Sequence, residues 1–302
     1  MKLCVDLGGT SVKVATAAGD RLSETVEFPV AGTPADLDRV VDAARRLAPS
    51  DTIGAVAVAV PGIVDAAGRR LLEAHGKYEW LLSQDLVQWG ADSLGATVAV
   101  ENDARAALIG EATTGVAAGE SNAVILVLGT GIGTAAIVDG VPLRGLGGSA
   151  GILCGHLTVD WNGPRCNCGN IGCAEVYGGS WALGDRLRDA ARGAPVAVDP
   201  AQGFAGLTAA ARAGDTMAAD VLDQALRAWS VCAVTMCHAY NPRVVVLAGG
   251  VARAADIVVP RLEAYLDDHL WSSLSRPPIR VAREPELSVL RGLAALATDA
   301  AS

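Results

Sequence analysis

Residues 122–140 read "NAVILVLGTGIGTAAIVDG": an apolar run of strand length, a glycine-rich turn, and a second apolar run closed by Asp-Gly. The same plan opens the chain, where residues 2–17 place two short strands around the turn "LGGTS". One supersecondary unit that occurs twice predicts two α/β halves. From the first copy onward, residues 2–6, 12–17 and 22–28 predict a three-stranded meander. A helix at 34–48, a buried strand "GAVAVAVPG" (54–62), a helix near 83–94, a strand "TVAVEND" (97–103) and a helix through "ARAALIGEA" follow. After the second copy, helices are expected at 180–192, 203–213, 216–239, 256–269 and 287–299, with a strand "RVVVLAGG" at 243–250. Strands alternating with helices imply a mixed sheet flanked by helices. Two halves whose glycine-rich turns face each other would enclose a cleft for a small molecule. The expected division is a first domain, 1–115, joined by the terminal helix 287–302, and a larger second domain, 116–286, carrying a cysteine-rich loop at 155–175.

With 302 residues, 51% of them hydrophobic, the chain can bury a sizeable core. The longest apolar runs, "AVAVAV" (55–60) and "AVILVL" (123–128), are strand length, well short of the ~20 residues a membrane span needs. The N-terminus enters a strand pattern without the apolar stretch and cleavage site of an export signal, so a cytoplasmic location is expected. A formal net charge of −9 without a basic run argues against nucleic acid and anionic membranes, leaving small molecules as the expected partners. Seven cysteines cannot all pair, and in a reducing compartment they are thiols unless a metal claims them.

Several stretches carry chemistry. In "DLGGT", Asp6 ends a strand, Gly8 and Gly9 form the turn and Thr10 lies beyond it. Glycines bring backbone N–H groups close to a phosphate, a hydroxyl adds a donor, and a carboxylate can hold Mg2+ through water. "LGTGIG" offers the same chemistry through Gly129, Thr130, Gly131 and Gly133. Such turns also join hairpins that bind nothing; their repetition at corresponding places favours phosphate. Gly249 and Gly250 in "LAGG" either pass under an adenine or ribose or simply join a strand to a helix. In "VEND", Asp103 is either the N-cap of the next helix or a functional carboxylate, and Gly62 in "VPGIVD" reads as a turn glycine after Pro61. Cys166, Cys168 and Cys173 follow C-x-C-x4-C, with His156 ten residues earlier. Three thiolates and an imidazole complete the closed tetrahedral shell of a structural zinc, which would substitute for a core in a loop with few large apolar residues. Cys4, Cys232 and Cys237 have the apolar contexts of core residues, and Cys154 is a neighbour of the metal site or a stray thiol.

Taken in order, "DLGGTSVK", "VAVPGIVD", "VENDARAALIGE", "LGTGIGTAAIVDG", "GH" followed by "CNCGNIGCAE", "ARAGD" and "NPRVVVLAGGVA" resemble the ROK family of bacterial sugar kinases. The resemblance runs from residue 6 to 252. It implies the α/β, two-domain actin-like ATPase (ribonuclease H-like) fold with an interdomain cleft, and ATP-dependent phosphorylation of a sugar's primary (6-) hydroxyl, with Mg2+ and a structural Zn2+. It casts Asp103 as the base, Asn102 as the residue that orients the sugar, and the Gly62 backbone as a sugar contact. His156 would face the sugar while ligating zinc, and Glu175 would bond the ring. Asp6, Gly8, Gly9, Thr10, Lys13, Gly129, Thr130, Gly131, Gly133, Gly249 and Gly250 would hold the nucleotide. A homodimer is also implied. A repressor of the same family carries a DNA-binding domain ahead of "DLGGT"; five residues precede it here, so a kinase is expected instead.

Two departures touch the sugar. The usual stretch before the histidine is E-x-G-H, whose Glu accepts from a ring hydroxyl; here "AGILCGH" puts Leu153 at that position, with one extra residue before it. "EAHGKYEW" (73–80) lacks the Asn-Leu expected before its Trp. Both leave Asp103 and the ATP groups intact, which points to a changed substrate: an amino sugar such as kanosamine first, with glucose, an N-acetylhexosamine or a C7 cyclitol as alternatives, and a catalytically inactive sugar sensor beyond them.

Overall fold

A computed structural model describes residues 1–19, 21–49, 52–74 and 76–297. Strands β1 (Lys2–Leu7) and β2 (Ser11–Ala18) form the antiparallel hairpin around "DLGGT", with Asp6 opposite Lys13. The strand expected at 22–28 breaks into β3 (Arg21–Leu22) and β4 (Val26–Pro29), both paired with β2. The break falls at Ser23, whose hydroxyl accepts from the Thr16 amide at 3.0 Å while its own amide donates to the Thr16 carbonyl, a local side-chain bond in place of a ladder rung. Helix α1 (Ala35–Leu47) leads to β5 (Ala55–Val60). The hairpin of β6 (Gly62–Val64) with β7 (Leu71–Ala74) was not legible in the sequence. Helix α2 (Leu86–Leu94), β8 (Thr97–Asn102) and α3 (Asp103–Thr113) follow. The sheet runs β3-β2-β1-β5-β8, with β1, β5 and β8 parallel.

The second copy builds the same order. β9 (Ala123–Leu128) pairs antiparallel with β10 (Ile132–Val138) and parallel with a later strand. After the two-residue β11 (Val141–Pro142) come α4 (Ala174–Gly178), α5 (Leu183–Ala191), α6 (Gly203–Arg212) and the long α7 (Thr216–Tyr240). The parallel partner of β9 is β12 (Val244–Ala248), which continues through α8 (Ala255–His269) to its own parallel neighbour β13 (Ile279–Val281), before the closing helix α9 (Pro285–Leu296). The order β10-β9-β12-β13 therefore repeats β2-β1-β5-β8. No helix among the described residues is long and apolar enough to cross a membrane.

Contacts divide the chain into one unit of Met1–Gly119, Val141–Gly151 and the segment from Arg283, and another of Glu120–Gly140 and Ile152–Ala282. Residues 141–151, expected in the second domain, thus pack with the first. The buried Arg105 is the cause: its guanidinium donates to the carbonyls of Leu143 (2.9 Å), Gly148 (2.7 Å) and Ala150 (3.3 Å).

Within the first unit, the Ala/Val alternation of β5 sorts its two faces. Val56, Val58 and Val60 join Leu3, Val5 and Leu7 under α1, with Tyr78 and Leu81. Ala55, Ala57 and Ala59 join Cys4 and Ala15 against Leu290 and Leu293 of α9 and Ala106 of α3. Small residues on that face let two helices approach it and each other: a Cβ on Gly292 would stand 1.8 Å from the Ala106 carbonyl oxygen. Gly292→Ala is therefore expected to destabilise the protein by about 1–3 kcal/mol, through forced separation of α3 and α9. In urea titration its midpoint falls with the slope unchanged.

Candidate active site

At the β8–α3 junction the helix cap is Asn102: its Oδ1 accepts from the Arg105 amide at 3.0 Å. Asp103 is the first helical residue, relieved of the capping role. The Asn102 side-chain amide donates to the Gly62 carbonyl (3.0 Å) and to Asp103 Oδ1 (3.1 Å), which also accepts from the Ala104 amide at 2.8 Å. Among the described residues no hydrogen bond from another residue reaches Asp103 Oδ2. Burial raises the Asp103 carboxyl to about 6, against the lowering pull of backbone N–H groups and Asn102. Asp6 is raised to about 7, by burial first and then by the Asp103 charge, with Lys13 opposing. Gly62 has a φ of 148°, and a Cβ there would lie 2.2 Å from the Glu73 carbonyl oxygen, so glycine is demanded by the β6–β7 hairpin as well as supplying Asn102 with an acceptor.

Two features of this unit escaped the sequence reading. The buried Tyr78 donates its hydroxyl to the Gly8 carbonyl at 2.8 Å and fixes the "DLGGT" turn. Tyr78 stands between the charged residues Lys77 and Glu79, so little in the local sequence marked it as buried, although a buried Tyr hydroxyl usually finds a partner; His75 of the same stretch lies outside the described residues. Arg105, 1% exposed, pairs with Glu101 at 2.6 Å, and Glu101 also receives Arg144 and the Asn102 amide. Gly9 and Thr10 are exposed in the turn, and Lys13 is half-buried on β2.

In the second unit, Gly129, Thr130 and Gly250 line a cavity of about 400 Å3 together with Ser180, Phe204 and Arg253. Gly249 does not line it but packs on the Leu128 carbonyl. Gly133, expected in the turn, is a strand residue of β10 opposite Val127, and Gly131 faces Glu175 instead.

The metal loop assembles as its spacing predicts. The donor atoms of His156, Cys166, Cys168 and Cys173 lie within 4.8 Å of one another. Cys166 Sγ is 3.7 Å from His156 Nδ1, and Cys168 Sγ is 3.7 Å from Cys173 Sγ. A tetrahedral zinc with Zn–S bonds of about 2.3 Å has thiolate edges of about 3.8 Å, so the donor set fits that ion. Burial and crowding by the other thiols push Cys173 up to about 12 and raise Cys166, so a cation bound among them would favour the thiolate forms. The loop's apolar cluster is only Cys166, Cys173 and Val176. Leu153 precedes the 3-10 turn Cys154–His156, 41% exposed; its carbonyl accepts from the His156 amide at 3.0 Å, and its side chain offers no acceptor. Glu175 is buried, its Oε2 accepting from the Ile132 amide (2.8 Å) and its Oε1 from Trp181 Nε1 (3.0 Å). Cys4, Cys232 and Cys237 are buried, and Cys154 contacts Cys232 rather than the metal cluster.

Residues 2–300 match the ROK family. The chain belongs to that family. It is 32% identical over 305 residues to kanosamine kinase of Amycolatopsis mediterranei, covering 98% of this chain and 95% of the relative. It is 29% identical over 284 residues to glucokinase of Thermotoga maritima, covering 89% and 88%. The crystal structure of a ROK glucokinase from Streptomyces griseus, in complex with glucose and AMPPNP, superposes with a TM-score of 0.81 at 26% identity and 98% coverage of both chains. The two α/β units thus have the actin-like ATPase fold of the ROK glucokinases, and the chain is a sugar kinase, a phosphotransferase.

The ROK metal loop yields a direct expectation. Elemental analysis of the purified protein should find about one zinc per chain. Cys168→Ser, at an exposed ligand whose loss opens no core cavity, should release most of it without unfolding either sheet by circular dichroism.

Proposed function

We propose that this ROK kinase transfers the γ-phosphoryl group of ATP to the primary (6-) hydroxyl of a glucose-like amino sugar, kanosamine first among them, as a cytoplasmic homodimer of the kind the family resemblance implies. The observation that carries the chemistry is Asp103: a half-buried carboxylate at the β8–α3 junction, held through Oδ1 by Asn102 and Ala104, with no hydrogen bond from another described residue on Oδ2. In the proposed step, the hydroxyl proton passes to Asp103 Oδ2, the sugar oxygen bonds to the γ-phosphorus, and the bond from that phosphorus to the ADP oxygen breaks with its electron pair. The transition state of phosphoryl transfer is loose, so orientation and charge stabilisation carry most of the catalysis. Asn102, locked by its cap and by Gly62, orients the base and the sugar. Mg2+ bound with ATP would neutralise phosphate charge, and Asp6 is the carboxylate suited to hold it through water, beside Gly8, Gly9, Thr10 and Lys13. Gly129, Thr130 and Gly250 would receive the phosphates and nucleoside in the cavity of the second unit. Zinc on His156 Nδ1 would leave Nε2 for a ring hydroxyl, and the lone pairs Glu175 has left would take another.

The choice of an amino sugar rests on Leu153 and on the kanosamine kinase relative. A hydroxyl left unpaired beside Leu153 costs roughly 1–3 kcal/mol, whereas a cationic amine elsewhere on the ring gains a carboxylate such as Glu175. Glucose itself is the second reading, favoured by the Thermotoga and Streptomyces relatives. A phosphorylation panel with Mg2+ and ATP, with products located by NMR, decides between them: glucose, kanosamine, glucosamine, N-acetylglucosamine and a C7 cyclitol. Kanosamine is expected to show the highest kcat/KM; a glucose preference overturns the amino-sugar assignment, and no turnover with any sugar overturns the kinase reading in favour of a sensor.

Asp103→Asn should lower kcat by at least about a hundredfold while sugar binding by calorimetry persists; near-normal turnover removes Asp103 from the role of base. A base works only as the carboxylate, so activity is expected to fall as pH drops through about 6, where Asp103 takes up its proton. Because burial penalises that charge, Asp103→Asn should be at least as stable as the parent at pH 7.

A further inference from the structure

Glu175 is assigned above to the sugar, yet its bonds within its own unit run to the β9–β10 turn. Its Oε2 accepts from the Ile132 amide at 2.8 Å, and the absence of a side chain at Gly131 makes room for that oxygen, since a Cβ there would stand 2.5 Å away. Its Oε1 accepts from Trp181 Nε1 at 3.0 Å. Beyond α4 the backbone continues the pattern: the Ser180 amide donates to the Gly129 carbonyl (3.1 Å) and the Trp181 amide to the Thr130 carbonyl (3.2 Å). Residues 129, 130 and 132 are therefore each hydrogen-bonded to the segment 175–181, and Gly131 packs against Glu175.

The other end of that segment is the metal loop. Cys173 is the N-cap of α4, and its carbonyl accepts from the Val176 amide at 3.2 Å. A second strap lies on the histidine side: the Cys154 amide donates to Thr134 Oγ1 at 3.2 Å, and Gly155 packs so closely on β10 that a Cβ would be 2.5 Å from the Ile132 carbonyl oxygen. Both flanks of the metal loop are thus fastened to the start of β10.

We propose that Glu175 and Trp181 are positioning residues for the nucleotide, coupling the metal loop to the phosphate turn so that affinity for ATP, and not the sugar pocket alone, depends on the bound metal. The inference rests on the reading of Gly129–Gly131 as the phosphate turn. A turn that holds its binding shape only part of the time binds with an affinity reduced by that fraction. Residues 173–181 are what keeps this turn in one shape.

The test is a calorimetric titration of AMPPNP with Mg2+ in the absence of sugar, on zinc-replete protein, on protein stripped by chelator and returned to Mg2+ buffer, and on stripped protein refilled with Zn2+. Stripping is expected to weaken binding at least about tenfold and refilling to restore it. Trp181→Phe keeps a ring but loses the donor to Glu175; it should weaken nucleotide binding about three- to tenfold with zinc content unchanged. Glu175→Gln, which retains an oxygen for the Ile132 amide, should bind more tightly than Glu175→Ala. Gly129→Val separates the two readings, because a Cβ at Gly129 meets nothing within 4 Å and the added methyls would fill only the open mouth of the turn. If Gly129→Val binds AMPPNP as well as the parent, the phosphate-turn reading fails. If Gly129→Val abolishes binding while Trp181→Phe and the stripped protein bind like the parent, the coupling alone is overturned. Should the stripped protein lose its fold by circular dichroism, Trp181→Phe decides: lowered affinity upholds the coupling, and parental affinity overturns it.

Discussion

The ion pair between Arg105 and Glu101 is the constraint on which the first unit is built. Both side chains are withdrawn from water, and such burial is tolerated only where each polar atom finds a partner. Here the guanidinium spends its N–H groups on Glu101 and on the carbonyls of Leu143, Gly148 and Ala150, while Glu101 also receives Arg144 and the Asn102 amide. Breaking a buried pair by removing one partner typically costs about 3–5 kcal/mol, because the other charge stays behind. The residues after Glu101 are Asn102 and Asp103, so the network that pulls 141–151 into the first unit also fixes the strand end carrying the proposed base.

Stability and chemistry are distributed differently in the metal loop. Its own apolar cluster consists largely of the cysteines, so a cation bound there would do what a core does elsewhere. The loop leads through α4 to the turn between β9 and β10, and the buried Glu175 lies on that route. In the first unit the corresponding turn, "DLGGT", is held instead by a tyrosine hydroxyl on Gly8. The two copies of one motif are secured by unrelated means, as expected when duplicated backbones keep their topology while their surroundings diverge.

Periodic and repeated features were legible. The alternation in "AVAVAV" gives the two faces of β5, and the repeated strand-turn-strand plan extends to a repeated strand order. The clustering of His156 with Cys166, Cys168 and Cys173 was readable because donors for a single ion recur at short, fixed spacing. Short elements were not: β13 has three half-buried residues, and β6 and β7 are too brief to show a period. Long-range polar bonds were hidden for another reason. Nothing local distinguishes Arg105 from a surface arginine, because the carbonyls it bonds lie about forty residues away in sequence, and Asn102 and Asp103 are equally good caps by type, the Asn102 amide being fixed by Gly62 forty residues before it. Gly133 lies one residue inside β10 rather than in the turn; a glycine inside a strand and a glycine in a turn look alike where the strand boundary is unknown.

The first unit is discontinuous: β1 and the closing helix α9 share a core, and the Lys2 ammonium donates to the Ala294 carbonyl at 2.9 Å, across 292 positions of chain. Closing a loop of that size costs chain entropy before any contact rewards it. During synthesis the alanine-lined face of the early strands is covered only in part, by α3, until α9 leaves the ribosome, by which time the whole of residues 152–282 has been available to fold. The unit that contains β1 is completed only after residues 152–282 have been made, and a nascent chain arrested ahead of α9 would display that half-covered sheet face to chaperones and proteases.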